Sequence, residues 1–127
     1  IVRLVGSEMC IRDSFQMNGN EMGTALQGGL NPVILIINNA SYGTIRMHQE
    51  REYPARVSGT AIVNPDYMAI AAAYGFHGER VTGTAQFADA FARACESPTG
   101  AIVEIVTATE AISPRTTISA LRAAAAP

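Results

Sequence analysis

Asn38 and Asn39 stand where an apolar run, Val33-Ile34-Leu35-Ile36-Ile37, gives way to Ala40-Ser41-Tyr42-Gly43. A carboxamide oxygen is a neutral, hard ligand suited to Mg²⁺ or Ca²⁺, and the turn after it can offer main-chain carbonyls to the same ion. The element that must position this pair is the run itself. A β-branched and leucine-rich stretch bounded by Pro32 and by polar residues predicts a strand buried on both faces of a parallel sheet. The amide pair then lies at the strand's carboxyl end, the edge at which ligands collect in open α/β sheets. The same two residues can also simply close the strand and begin a turn.

Helices and short strands alternate along the rest of the chain. A helix is predicted from about Asn18 to Gln27, with Met22, Ala25 and Leu26 inward and Gly28-Gly29 ending it. A second runs from Tyr42 to about Gln49, followed by the charged, irregular stretch Glu50 to Arg56. Asn64-Pro65-Asp66 reads as a helix start, with Asn64 as N-cap, and Pro65 to Tyr74 as its helix. Tyr67, Met68, Ile70, Ala71 and Tyr74 form its core stripe. Phe76 to Val81 reads as a short edge strand in which His77 is structural. Thr84 is placed as the cap of a helix whose Phe87, Phe91 and Cys95 share a buried face. Ala101 to Val106 is a second buried strand, with Glu104 paired at the sheet end or at an interface. Ile118 to Ala126 is an alanine-rich helix, marginal by itself and expected to lie on another subunit or domain. This alternation predicts a doubly wound parallel α/β sheet with helices on both faces.

Three stretches carry a resemblance: Phe15-Gln16-Met17-Asn18-Gly19-Asn20-Glu21, Gly28-Gly29-Leu30-Asn31-Pro32, and Asn38-Asn39-Ala40-Ser41-Tyr42-Gly43-Thr44-Ile45-Arg46. From Phe15 nearly to the C-terminus the chain resembles the pyrophosphate-binding domain of thiamine-diphosphate enzymes of the acetolactate synthase, benzoylformate decarboxylase and pyruvate decarboxylase superfamily. The resemblance implies a site for thiamine diphosphate and Mg²⁺. It implies Asn39, through its side chain, and Ser41, through its main-chain carbonyl, as metal ligands, with Tyr42 and Gly43 against the diphosphate. It assigns no catalytic residue to this chain. The glutamate that activates the cofactor in the family belongs to the N-terminal domain of a neighbouring subunit, and Glu21 is read as an acid complementing a helix dipole. Arg46, His48, Glu50 and Arg56 are the side chains expected beside the substrate pocket. A 2-oxo acid substrate, N-terminal and central domains beyond this chain, and a homodimer or homotetramer are implied as well.

The family also holds its metal through the aspartate of a Gly-Asp-Gly motif, whose spacing from Asn39 falls on position 12. Here the chain reads Ile11-Arg12-Asp13. A guanidinium has donors only and keeps its charge, so Arg12 cannot ligate a cation. Asp13 is one residue out of register, and such a slip at a strand end turns a side chain to the other face. The run Leu4 to Asp13 resembles the translation of a transposon-end adapter used in preparing sequencing libraries. Residues 1–14 are therefore read as a non-native segment, and 15–127 as a thiamine-diphosphate-binding domain fragment truncated at its N-terminus. Cys10 and the apparent strand Ile1 to Val5 then carry no weight.

Composition narrows the alternatives. With 48% apolar and 16% charged residues, against a usual charged share of about 25%, the chain suggests surface covered by partner domains or subunits. A net charge of −2 gives no basic footprint for nucleic acid. No apolar run approaches membrane-spanning length and no signal peptide is visible, and neither observation fixes a compartment. The expected compartment is the cytoplasm. Discounting Cys10 leaves Cys95 alone, with no disulfide framework or metal cluster. The expected function is the Mg²⁺-thiamine-diphosphate-binding domain of a carboligase or 2-oxo acid decarboxylase, inert as an isolated fragment. The alternative is a non-catalytic α/β assembly or regulatory module that has lost its metal site. A flavodoxin-like phosphate binder, independent of divalent metal, is a weaker third reading.

Overall fold

A computed structural model of the protein describes residues 11–113 and 115–125, with side chains from Phe15 onward. Most of Leu4 to Asp13, the apparent strand Ile1 to Val5 and Cys10 lie outside the described residues. Two compact units share the chain. The first takes the described residues up to Asn38 together with Pro65–Val106, and the second takes Asn39–Asn64 together with the described residues from Thr107 onward.

The first unit is built on three parallel strands: β1 (Val33–Asn38), β2 (His77–Val81) and β3 (Ala101–Val106), in the spatial order β1-β3-β2. The apolar run thus forms the predicted strand, with Asn38 as its last residue, but at the sheet edge it is not buried on both faces as expected: only Ile36 is fully buried and Ile37 is exposed. Because side chains alternate between the faces of a strand, Ile34, Ile36 and Ile102 share one face. Against them lie α1 (Ile11–Asn18), α2 (Glu21–Gln27) and α4 (Tyr67–Ala73), which contribute Phe15, Met22, Tyr67 and Ala71. Val33, Leu35, Val81, Ala101 and Val103 share the opposite face with Phe87, Ala90 and Ala94 of α5 (Thr84–Glu96). Helices cover both faces, as the alternation predicts.

Several local expectations are corrected. The helix predicted from about Asn18 begins at Glu21, with Met22 buried but Leu26 exposed; a separate helix, α1, precedes it across Gly19-Asn20, so residues 11–13 open a helix rather than close a strand. Helix α4 is capped by Asp66, whose carboxylate accepts from Met68 N at 3.0 Å, not by Asn64. Aspartate wins because its oxygen reaches the N2 amide of the helix that begins one residue later. Gly75, at φ +69, ends α4 in the left-handed region that only glycine adopts freely. Helix α5 starts after Gly83, with Gln86 Oε1 accepting from the amides of Thr82 and Gly83, so Thr84 is its first residue and not its cap. Its buried stripe is Ala90 and Ala94, small enough to seat the helix close to the sheet; Cys95 is only half-buried. Glu104 is paired, as expected. It lies beside Arg80 in register and accepts from Arg80 Nε and from Asn38 Nδ2, each at 2.6 Å.

The second unit contains α3 (Gly43–Glu52) and α6 (Ile118–Ala124). Helix α3 extends past the predicted end at Gln49, so Glu50 is helical. It is also fully buried, not part of a solvated charged stretch. Among the described residues no helix is long and apolar enough to cross a membrane.

Candidate functional site

Asn39, Ser41, Tyr42 and Gly43 all belong to the second unit and form one tight turn into α3. Asn39 Oδ1 accepts from Ser41 N at 3.1 Å, an Asx turn of the kind asparagine forms readily. Ala40 between them has φ +52, a left-handed conformation costing an alanine about 1 kcal/mol. Neighbouring bonds hold it there. Ile62 N donates to Ala40 O at 3.0 Å and Tyr42 N to Thr60 O at 2.9 Å, bracketing an antiparallel bridge between Ser41 and Ala61. Ser41 is buried, and its hydroxyl donates to the same Thr60 carbonyl at 3.0 Å.

Helix α3 begins directly after this turn. Its N-cap residue, Tyr42, supplies no side-chain hydrogen bond to it, so its first-turn amides and the positive end of its dipole suit an anion. Gly43 is needed for closeness. A Cβ there would stand 3.1 Å from Asn39 Nδ2, so a side chain at position 43 presses directly on the candidate ligand. The turn thus gathers two neutral oxygens, the Asn39 carboxamide and the Ser41 carbonyl, next to a helix start that favours negative charge.

The remaining candidates divide. Glu50 is at 0% exposure and accepts from Arg46 Nε at 2.9 Å, Arg122 Nη2 at 2.7 Å, Arg122 Nε at 2.8 Å and Ala55 N at 3.0 Å. The Arg122 hydrogen bond is the main cause holding its carboxyl down at about 2, against the opposing effect of burial. Glu50 and Arg46 are therefore structural, not substrate-facing. His48 is exposed, and Arg56 lies 5.7 Å over the Tyr53 ring. Glu21 accepts from Thr24 Oγ1 in the first turn of α2 and His77 lies beside Glu79, both consistent with structural roles. Among the described residues no group of three or more His, Cys, Asp or Glu side chains could hold a metal ion. Thr60, Thr109 and Arg122, which brace the turn and its helix, carry no motif that sequence reasoning could have used.

The sequence model of the family described as thiamine pyrophosphate enzyme, C-terminal TPP binding domain, matches residues 13–105. Arg12 falls just outside that match. The acetolactate synthase large subunit of Cyanidium caldarium is 36% identical over 98 residues, covering 76% of this chain and 17% of the relative. That of Parasynechococcus marenigrum is 33% identical over 94 residues, covering 72% and 15%. The acetolactate synthase isozyme 2 large subunit of Escherichia coli is 36% identical over 70 residues, covering 54% and 13%. The chain thus spans no more than 17% of the length of these relatives. With the family match covering well over half of it, the chain belongs to the thiamine pyrophosphate enzymes, as their C-terminal cofactor-binding domain.

Proposed function

We propose that this chain is the part of an acetolactate synthase-like enzyme that anchors the diphosphate end of thiamine diphosphate, with Asn39 Oδ1 and the Ser41 carbonyl as neutral ligands of a bridging Mg²⁺. Tyr42 and Gly43 border the diphosphate. The observation that carries this reading is the Asx turn of Asn39 feeding straight into the start of α3. Bound thiamine diphosphate supplies the electron sink that lets a 2-oxo acid lose CO₂ and its remainder be passed to an acceptor. The chain's own residues bind and orient. The second unit also carries five arginines against three glutamates, a balance that favours an anionic ligand.

The residues present fit only part of a magnesium site. Two neutral oxygens suit the ion, but the sequence has Arg12 at the position where the resemblance expects a carboxylate, and a guanidinium cannot ligate a cation. The unmodified chain is therefore expected to take up Mg²⁺-thiamine diphosphate negligibly and to be inert alone. The whole enzyme would add the remaining domains, act on a 2-oxo acid, assemble as a homodimer or homotetramer and work in the cytoplasm. Residues 1–14 remain in this reading a non-native segment ahead of a domain spanning 15–127.

Calorimetric titration tests the anchor. Restoring Gly-Asp-Gly with Ile11→Gly, Arg12→Asp and Asp13→Gly should improve Mg²⁺-dependent cofactor binding at least tenfold, and adding Asn39→Ala should abolish the gain. Tight binding by the unmodified chain, or a gain indifferent to Asn39, would sink it. A second reading, a non-catalytic assembly or regulatory module, draws on Arg12 alone and predicts no gain from the restored motif.

A further inference from the structure

Within the second unit, the stretch after Thr107 touches the Asn39–Gly43 turn and its helix at three points. Thr109 Oγ1 donates to Asn39 O at 2.9 Å. Ile112, itself buried, brings Cδ1 within 4.0 Å of where a Gly43 Cβ would stand. Near the far end of α3, Arg122 closes on Glu50 through both Nε and Nη2. The stretch is braced internally, with Ile118 N donating to Glu110 O at 3.1 Å and Ser119 N to Glu110 Oε1 at 2.8 Å. All of it lies beyond residue 105, where the family match ends.

We infer that Thr109 is a positioning residue for the carboxamide of Asn39, with Ile112 and the Arg122–Glu50 pair holding the helix that the same turn opens. A hydroxyl bonded to the Asn39 carbonyl orients the peptide plane that follows this residue and so fixes its ψ. The Asx turn to Ser41 N closes only over a narrow range of that angle. Thr109 thereby decides where the Asn39 carboxamide oxygen points without touching a ligand itself. The functional half of this inference rests on Asn39 as the anchor; the conformational half does not.

Two substitutions separate the halves. Thr109→Val removes the donor at nearly constant volume, and Thr109→Ser keeps it. In the full chain without cofactor, NMR-detected hydrogen exchange at the Ser41 and Tyr42 amides should quicken about fivefold in Thr109→Val, the loss of one ordinary hydrogen bond. It should recover in Thr109→Ser, while the amides of β3 in the first unit stay unchanged. Unaltered exchange at Ser41 in Thr109→Val overturns the proposal. In the chain with Gly-Asp-Gly restored at positions 11–13, Thr109→Val should weaken Mg²⁺-thiamine diphosphate binding by a similar factor and Thr109→Ser should not. Equal affinity in both overturns the functional half. If the restored chain takes up no cofactor at all, the anchor reading fails, and the exchange result still decides whether Thr109 sets the turn.

Discussion

The two units bury different chemistry. In the sheet unit the buried set is almost wholly apolar: Met22, Ile36, Tyr67, Ala71, Phe76 and Ile102 on one face of the sheet, Val81, Ala90, Ala94, Ala101 and Val103 on the other. In the unit that holds Asn39, the buried residues among those described are Ser41, Glu50 and Thr60 with Ile112 and Ile118. Apolar burial is non-directional and tolerates small displacements, whereas a buried carboxylate or hydroxyl is stable only with its partners in place. A ligand turn held by directional bonds has its geometry specified, at the cost of sensitivity to single polar substitutions and to pH. The turn proposed to hold the cofactor belongs to the unit that can specify angles, and the sheet unit supplies bulk stability.

The largest expected effect lies in the sheet unit. Ile102 sits at 0% exposure on the central strand, so Ile102→Ala should cost about 4 kcal/mol, read as a shifted urea midpoint at unchanged slope. Because no titratable group is removed, that loss should be the same at pH 4 and pH 7. A loss that depends on pH would break the contrast between the units.

Glu50→Ala should cost somewhat less, about 3 kcal/mol, at the low end for a broken buried pair. Arg122, at 42% side-chain exposure, and Arg46, at 18%, can turn toward water once the carboxylate is gone. Acid should imitate the substitution. A carboxyl lowered from 4.5 to about 2 contributes stability that is fully present above pH 4.5 and is lost as pH falls toward 2. Exchange protection in α3 should therefore fall across that window in the parent chain and show no such step in Glu50→Ala. Glu79 in the sheet unit is also lowered, chiefly by the Arg93 hydrogen bond, but it lies at a partly exposed strand edge, so β3 should keep its protection longer than α3.

The contrast also explains which parts of the molecule sequence reading reached. Val33 to Ile37 and Ala101 to Val106 announce themselves because strands covered by helices on both faces are rich in apolar residues, although only Ile36 of the first run is fully buried, and Tyr67 with Ala71 because a helix repeats its core face every three to four residues. Asn38 and Asn39 were legible as an amide pair at a strand end, while Ser41, Tyr42 and Gly43 were legible only through the family resemblance. The frame around them was not. Glu50 and Arg122 stand 72 residues apart, Thr109 and Asn39 70 apart, and pairs so distant leave no periodicity in a single sequence. Glu50 even reads as solvent-facing, since a charge flanked by Arg51 and Glu52 carries no local sign of a buried partner. Asp66 was missed as a cap for a smaller reason: Asn64-Pro65-Asp66 offers two acceptable caps, and only the main-chain path chooses.

The smallest expected effect on stability is also the sharpest separation of stability from fit. Gly43 opens α3, where alanine is the better helix former by up to about 1 kcal/mol. The added Cβ, however, would meet Asn39 Nδ2 at 3.1 Å, a contact that a rotation of the carboxamide by a few tenths of an ångström can relieve. Gain and strain nearly cancel, so Gly43→Ala should change the unfolding free energy by no more than about 0.5 kcal/mol. The carboxamide that moves is the proposed metal ligand, and the amide that moves with it is Ser41 N, which Asn39 Oδ1 accepts from. In the chain with Gly-Asp-Gly restored, Gly43→Ala should therefore lower Mg²⁺-dependent cofactor affinity by about tenfold or more, a cost of about 1.4 kcal/mol, at nearly constant stability. Calorimetry paired with urea unfolding reads both quantities from one preparation. Should affinity survive while stability falls, Gly43 is needed only to start the helix, and the turn is not the place where the unit's directional bonds are put to use.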